Sequence, residues 1–224
     1  MGSITRSLSN NITTSGVILP AGITNSSVSA VTSFANASGG TLILLSTQTA
    51  SNSATISFTT GLDSTYDEYV FKFINCHPAT NNVGFQFNMS TDSGSNYNVT
   101  KTTTSFGAYH NEGDTETSLT YNTDTDLAQS TGFQPLTFYQ TMSNDDDSQV
   151  SGTLTLFNPS STTYVKHFIS RAEAMNQETT ARYAVDSYIA GYGNTTSAIN
   201  AIQFKFSSGN IDDGIIKLYG VKKS

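Results

Sequence analysis

Seventeen acids, three histidines and one cysteine are the residues of this 224-residue chain with the most chemical potential, and their spacing decides what that potential is worth. The histidines are His77, His110 and His167. No two stand at H-x3-H spacing, which would place both on one face for a metal. Val165, His167 and Ile169 would share one face of a strand, which suits a packed or hydrogen-bonded histidine better than a ligand. The lone Cys76 excludes an internal disulfide and reads as a small buried residue at a strand end. Asn144-Asp145-Asp146-Asp147 offers loop oxygens that could hold Ca²⁺, but the EF-hand spacing of glycine and glutamate is missing. A solvated loop is the better reading. Asp212-Asp213-Gly214 reads as a tight turn, and Asp63, Asp67 and Glu68 as caps or solvent charges at a strand start. No G-x-S-x-G elbow or phosphate-binding glycine loop occurs. A glycosidase needs two facing carboxylates, and here acids are scarce and sit mainly in loops. The expectation is a protein with no catalytic centre, no cofactor and no metal.

One loop has a recognisable pattern. Ser90-Thr-Asp92-Ser-Gly94-Ser-Asn-Tyr97 matches the Asp-box, S-x-D-x-G-x-x-aromatic. Asp caps the turn backbone, Gly takes a positive φ and the aromatic folds back over the loop. The motif occurs in glycan-processing proteins, yet it builds a hairpin turn and does no chemistry.

The elements that carry these residues are strands. Tyr69, Phe71 and Phe73 alternate with Val70, Lys72 and Ile74; Phe85, Phe87 and Met89 with Gln86, Asn88 and Ser90; Ile202, Phe204 and Phe206 with Gln203, Lys205 and Ser207. A period of two puts each set on opposite faces of a strand. Strands are predicted near 41–48, 54–59, 67–75, 83–90, 103–109, 117–122, 134–140, 150–157, 163–170, 183–191, 198–206 and 214–221, separated by Gly, Asn, Asp and Pro turns. Arg171 to Arg182 is either a helical turn or a long polar hairpin loop. Many short strands at even spacing predict an all-β fold, a jelly-roll-like antiparallel β-sandwich, over residues 41–224.

Residues 1–40 differ. Ile4, Leu8, Ile12, Val17, Ile18 and Leu19 are single aliphatics spaced through polar sequence and cannot form a core of their own. They predict an extended N-terminal arm whose aliphatics dock on a partner subunit, in preference to a flexible leader.

Charged residues are only 12% of the chain and the net charge is −7. Clustered Lys and Arg are absent, which argues against a nucleic-acid backbone as partner. Weak self-repulsion tolerates dense packing against like copies. No apolar run reaches the length of a membrane span, and no secretory signal is legible, so synthesis in a cytoplasm is expected. Eleven tyrosines give flat apolar faces with polar tips, suited to subunit contacts or sugar stacking. Tyr109, Tyr188 and Tyr192, near loops or strand ends, are the candidates for such contacts.

Leu45-Ser-Thr-Gln-Thr-Ala50, Gly61 to Tyr69, Ala108-Tyr-His-Asn-Glu112, Leu156 to Tyr164, Thr196 to Phe204 and Gly214 to Val221 together resemble β-rich virion structural proteins of tailed bacteriophages, particularly a type found in phages of aquatic bacteria. The likeness spans residues 42–221 and lies in phrase and composition, with no defined site to carry over. It implies a multimeric virion component made in the host cytoplasm. The leading expectation is a capsid decoration, or cement, protein: a homotrimer on the major capsid protein or another virion protein, binding neither nucleic acid nor membrane. The alternative is a receptor-binding tail or head-fibre module that recognises host glycans.

Overall fold

Alternating side chains demand a partner layer, and the chain supplies one by folding into two sheets that share a core. The computed structural model describes residues 12–13, 16–17, 41–178 and 181–223. The chain divides into two units, 1–39 and 40–224. In the first, β1 (Ile12–Thr13) pairs antiparallel with β2 (Gly16–Val17), with Ile12 opposite Val17. The arm anchors expected at Ile4, Leu8, Ile18 and Leu19, and the side chains of Ile12 and Val17, lie outside the described residues.

The second unit is all β among its described residues. Its strands are β3 (Leu42–Ser53), β4 (Ile56–Phe58), β5 (Glu68–Pro78), β6 (Phe85–Ser90), β7 (Lys101–Asn111), β8 (Thr117–Tyr121), β9 (Gln134–Pro135), β10 (Val150–Phe157), β11 (Lys166–Glu178), β12 (Ala181–Gly193), β13 (Ala201–Phe206) and β14 (Ile211–Val221). They form an antiparallel β-sandwich of unequal layers. The eight-stranded sheet runs β3-β14-β5-β10-β11-β12-β7-β8, and the four-stranded sheet runs β4-β13-β6-β9.

Every predicted strand has a counterpart, with three corrections. The described residues between Arg171 and Arg182 are strand, neither helix nor loop: β11 and β12 pair from Lys166↔Gly193 to Glu178↔Ala181. Thirteen consecutive ladder positions outweigh the local helix preference of Ala172, Glu173, Ala174 and Met175. The strand expected over 134–140 shrinks to Gln134–Pro135, because the segment beyond turns to cap the inner face of β7 and β12. Asp212-Asp213-Gly214 is no turn. It lies inside β14, at register shifts against β5 between Ile211, Asp213 and Ile215.

The core lies where the small sheet faces the large one. Tyr69, Phe71, Phe73, Leu154, Leu156, Phe168, Ile216 and Leu218 meet Ile56, Phe58, Phe85, Phe87, Met89, Ile202, Phe204 and Phe206, all buried. Phe204 lies within 6.4 Å of the rings of Phe58, Phe71, Phe85 and Phe87. Burying each such side chain contributes roughly 1.5–3 kcal/mol.

Beyond that aromatic cluster the cover changes character. Over β7 and β12 it comes from the long β8–β10 connection, and the contacts turn polar. Thr103 Oγ1 donates to Gln134 Oε1 at 2.7 Å, Ser105 and Thr125 hydroxyls meet at 2.7 Å, and the Phe138 N–H donates to Ser187 Oγ at 2.8 Å. Each donor in these three contacts finds an acceptor, so Ser and Thr serve there as inward-facing residues at little cost, whereas the buried Thr137 Oγ1 has no partner among the described residues.

Candidate functional site

The outer face of the eight-stranded sheet collects exposed side chains into rows, because residues in register share a face. One row reads Lys217, Lys72, Thr153, Arg171, Tyr188, Phe106 and Tyr121 across seven strands from β14 to β8. Cations occupy one end and aromatics the other. Tyr188 stacks on Phe106 with ring centroids 5.0 Å apart and planes 3° from parallel. The Arg171 guanidinium lies 5.1 Å over the Tyr188 ring and donates to both oxygens of Asp186, at 3.0 and 2.7 Å. That pair holds the Asp186 carboxyl below the usual carboxylate range. Lys72 lies 5.5 Å over the Tyr219 ring.

The neighbouring row is uncharged: Tyr219, Val70, Thr155, Ile169, Ala190 and Thr104, with Val70 buried and Ile169 and Thr104 the most exposed. Ile169 keeps 54% of its surface exposed, and Leu119 on the edge strand β8 keeps 73%. A shallow groove beside this row is walled by Phe157, His167, Ile169 and Tyr192, with the His167 and Tyr192 rings 6.1 Å apart. His167 is thus an exposed residue of the outer face, not a core histidine.

Of the three tyrosines singled out in the sequence, Tyr188 and Tyr192 belong to this face and Tyr109 does not. Tyr109 points inward, past the end of the small sheet, into a cavity of about 50 Å³ shared with Glu116, Tyr139, Thr141, Asn176 and Tyr183. Its ring sits 5.8 Å from Tyr139 and 5.7 Å from Tyr183, at steep angles to both.

The remaining candidates are structural. The Asp-box forms as expected in its details: Asp92 Oδ1 accepts from Ser90 Oγ at 2.6 Å and from the Asn96 N–H at 2.9 Å, and Gly94 has φ +88° beneath the Tyr97 hydroxyl. Those donors, Ser90 first, pull the Asp92 carboxyl down to about 2. It is not a hairpin, however. It links β6 of the small sheet to β7 of the large one.

Arg182 gathers the acidic loop, 2.7 Å from Asp147 and 3.6 Å from Asp145. Among the described residues no group of three or more His, Cys, Asp or Glu side chains is placed to hold a metal. Asp63 caps its own loop, accepting from the Thr65 N–H at 2.8 Å and the Tyr69 hydroxyl at 3.0 Å. Cys76 is buried in β5, where desolvation pushes its thiol up to about 12 and leaves it inert.

Two residues escaped the sequence reading. Lys101 and Lys166 are fully buried. Both stand opposite Gly193 in the ladder, one on each side of β12. Lys101 Nζ donates to Asn88 Oδ1 at 2.5 Å and to the Val99 carbonyl at 2.8 Å; Lys166 Nζ donates to the Tyr164 carbonyl at 2.6 Å. With no carboxylate to compensate, desolvation lowers both, Lys101 to about 7. Parity held the signal: Lys166 alternates in step with Phe168, so it had to face the same interior.

Among the described residues no helix is long and apolar enough to cross a membrane. In comparisons with known proteins, no family model, no curated protein and no solved structure matches the chain.

Proposed function

We propose that the chain is a virion structural protein that works by packing, most specifically a capsid decoration protein. Its β-sandwich would assemble as a homotrimer on a shell of major capsid protein, and residues 1–40 would reach across neighbouring subunits. The observation that carries this reading is the outer face of the eight-stranded sheet. It joins an uncharged row that includes the exposed Ile169 to a stacked aromatic pair and a line of cations, on a molecule whose net charge is −7. Exposed apolar and aromatic residues in one contiguous field mark surfaces that are covered in an assembly. Bound at the junctions of a shell, such a protein stabilises the assembled state by mass action against internal pressure.

The test is decoration of purified shells. A double variant Phe106→Asp, Ile169→Asp should lose shell binding, and a chain lacking residues 2–35 should lose it while keeping its β circular-dichroism spectrum. Full occupancy by both variants would sink the packing reading. Hundreds of copies per particle would place the protein on the head, a dozen on the tail.

A second reading, a fibre module that recognises host glycans, is favoured by one observation: the Phe106–Tyr188 stack presents a flat aromatic platform beside a guanidinium. Aromatic faces of this kind stack well on the apolar side of sugar rings. It requires saccharide binding that Tyr188→Ala weakens, with Tyr192→Ala as a neighbouring control.

A further inference from the structure

The cavity behind the β7–β8 turn has chemistry that packing does not use. We propose that it binds a primary ammonium group, such as the head of a lysine side chain or of an amino sugar. Three observations combine. First, three tyrosines line the space, Tyr139 and Tyr183 each packed edge-on against Tyr109, at 61° and 81°. Aromatic rings around a space favour a cation over an anion.

Second, Glu116 stands at the rim with its position fixed. Asn111 Oδ1 accepts from the Thr115 and Glu116 N–H groups at 2.9 Å each, and the Tyr183 hydroxyl donates to the Glu116 carboxylate at 2.9 Å. Arg182, next to Tyr183 in β12, turns instead to Asp147 and Asp145. No described Lys, Arg or His forms an ion pair with Glu116.

Third, Asn176 lines the cavity at 1% exposure, and its Oδ1 has no hydrogen-bond partner among the described residues. Its Nδ2 donates to Thr141 Oγ1 at 3.1 Å, and the oxygen is the unmet acceptor. A buried acceptor without a donor is costly.

Aromatic rings, a carboxylate and an amide oxygen together want positive charge and N–H donors. An anion is repelled. A quaternary ammonium brings charge and no donor, and an alcohol brings a donor and no charge. A volume of about 50 Å³ admits an ammonium head with its first carbon, not a sugar ring. The proposal is independent of the packing role, and either can fail alone.

The test is a titration of the full chain, followed by backbone amide NMR, with n-butylammonium, n-butanol and tetramethylammonium. Butylammonium should shift the Tyr109, Glu116 and Asn176 signals and bind about ten-fold tighter than butanol, the loss of one charge-assisted contact. The exposed change Glu116→Gln should weaken it by a similar factor. Asn176→Leu should erase its advantage over tetramethylammonium. Nα-acetyl-lysine amide and glucosamine then identify the source of the ammonium. Butylammonium binding no tighter than butanol, indifference to Glu116→Gln, or shifts confined to other parts of the protein would overturn the site.

Discussion

Lys101 shows how much one side chain can govern. Its amine is held near 7 by desolvation, against an ordinary 10.5 in the unfolded chain. Between those values the unfolded state binds more protons, so stability rises with pH. The penalty is full below about pH 7 and fades above it. Lys166, lowered by the same cause, adds in the same direction. Above pH 9 the Cys76 thiol, pushed up to about 12, keeps its proton in the fold and loses it in the unfolded chain, which reverses the sign. The urea midpoint is therefore expected to climb from pH 7 to 9, by an amount on the order of a few kcal/mol, and to level off beyond. In Lys101→Met the climb should flatten. A wild-type midpoint that stays level over this range would mean that Lys101 is charged in the fold. Core truncation has a plainer outcome: Phe204→Ala removes the ring that touches four others and should cost about 3–5 kcal/mol by denaturant melt.

Strands and turns are where local geometry meets the ladder. Gly214 has φ +136° inside β14, and a Cβ there would come within 2.7 Å of the Cys76 Cα. The bulge lets β14 stay paired with β5 across its register shifts. Gly214→Ala meets both backbone strain and a backbone wall, so a loss on the order of 2–3 kcal/mol is expected, read from the thermal midpoint. In the Asp-box, the Asp92 contribution is present at neutral pH and lost as pH falls from about 3.8 through about 2. Asp92→Ala should loosen the 91–97 loop and speed amide exchange at Gly94 and Asn96, whose N–H groups bond to Ser90 and Asp92. Unchanged exchange would show that the loop is held instead by other contacts, such as the Ser93 N–H donating to Asn200 Oδ1 at 2.8 Å.

For the whole molecule, closure depends on the end of the chain. β14 lies between β3 and β5 in the large sheet, so the last strand joins the first of the body to the core. Removing residues 211–224 would strip β3 of its only strand partner among the described residues and expose Phe71 and Phe73. Such a chain is expected to be protease-sensitive throughout, with no cooperative transition, whereas loss of the short edge strand β8 should leave melting cooperative. Pairings this distant in sequence also predict slow folding, on the order of milliseconds to seconds.

Much of the body was legible from its residues. Alternation in Tyr69–Phe73, Phe85–Met89 and Ile202–Phe206 located strands and named their buried faces, because side-chain parity is a local property of an extended backbone. The Asp-box residues likewise carried their own turn. Which strand pairs with which was decided only by tertiary structure, since every backbone offers the same N–H and C=O groups and the choice among partners is made by burying faces together. Eight strands against four, β14 between β3 and β5, and β11 running on through Arg171 all come from that choice. So do the burial of Lys101 and Lys166 and the meeting of Tyr109, Glu116 and Asn176. Lys101 lies far from Lys166 along the chain, and Asn176 far from Tyr109 and Glu116, and no local pattern records that the fold will bring them together.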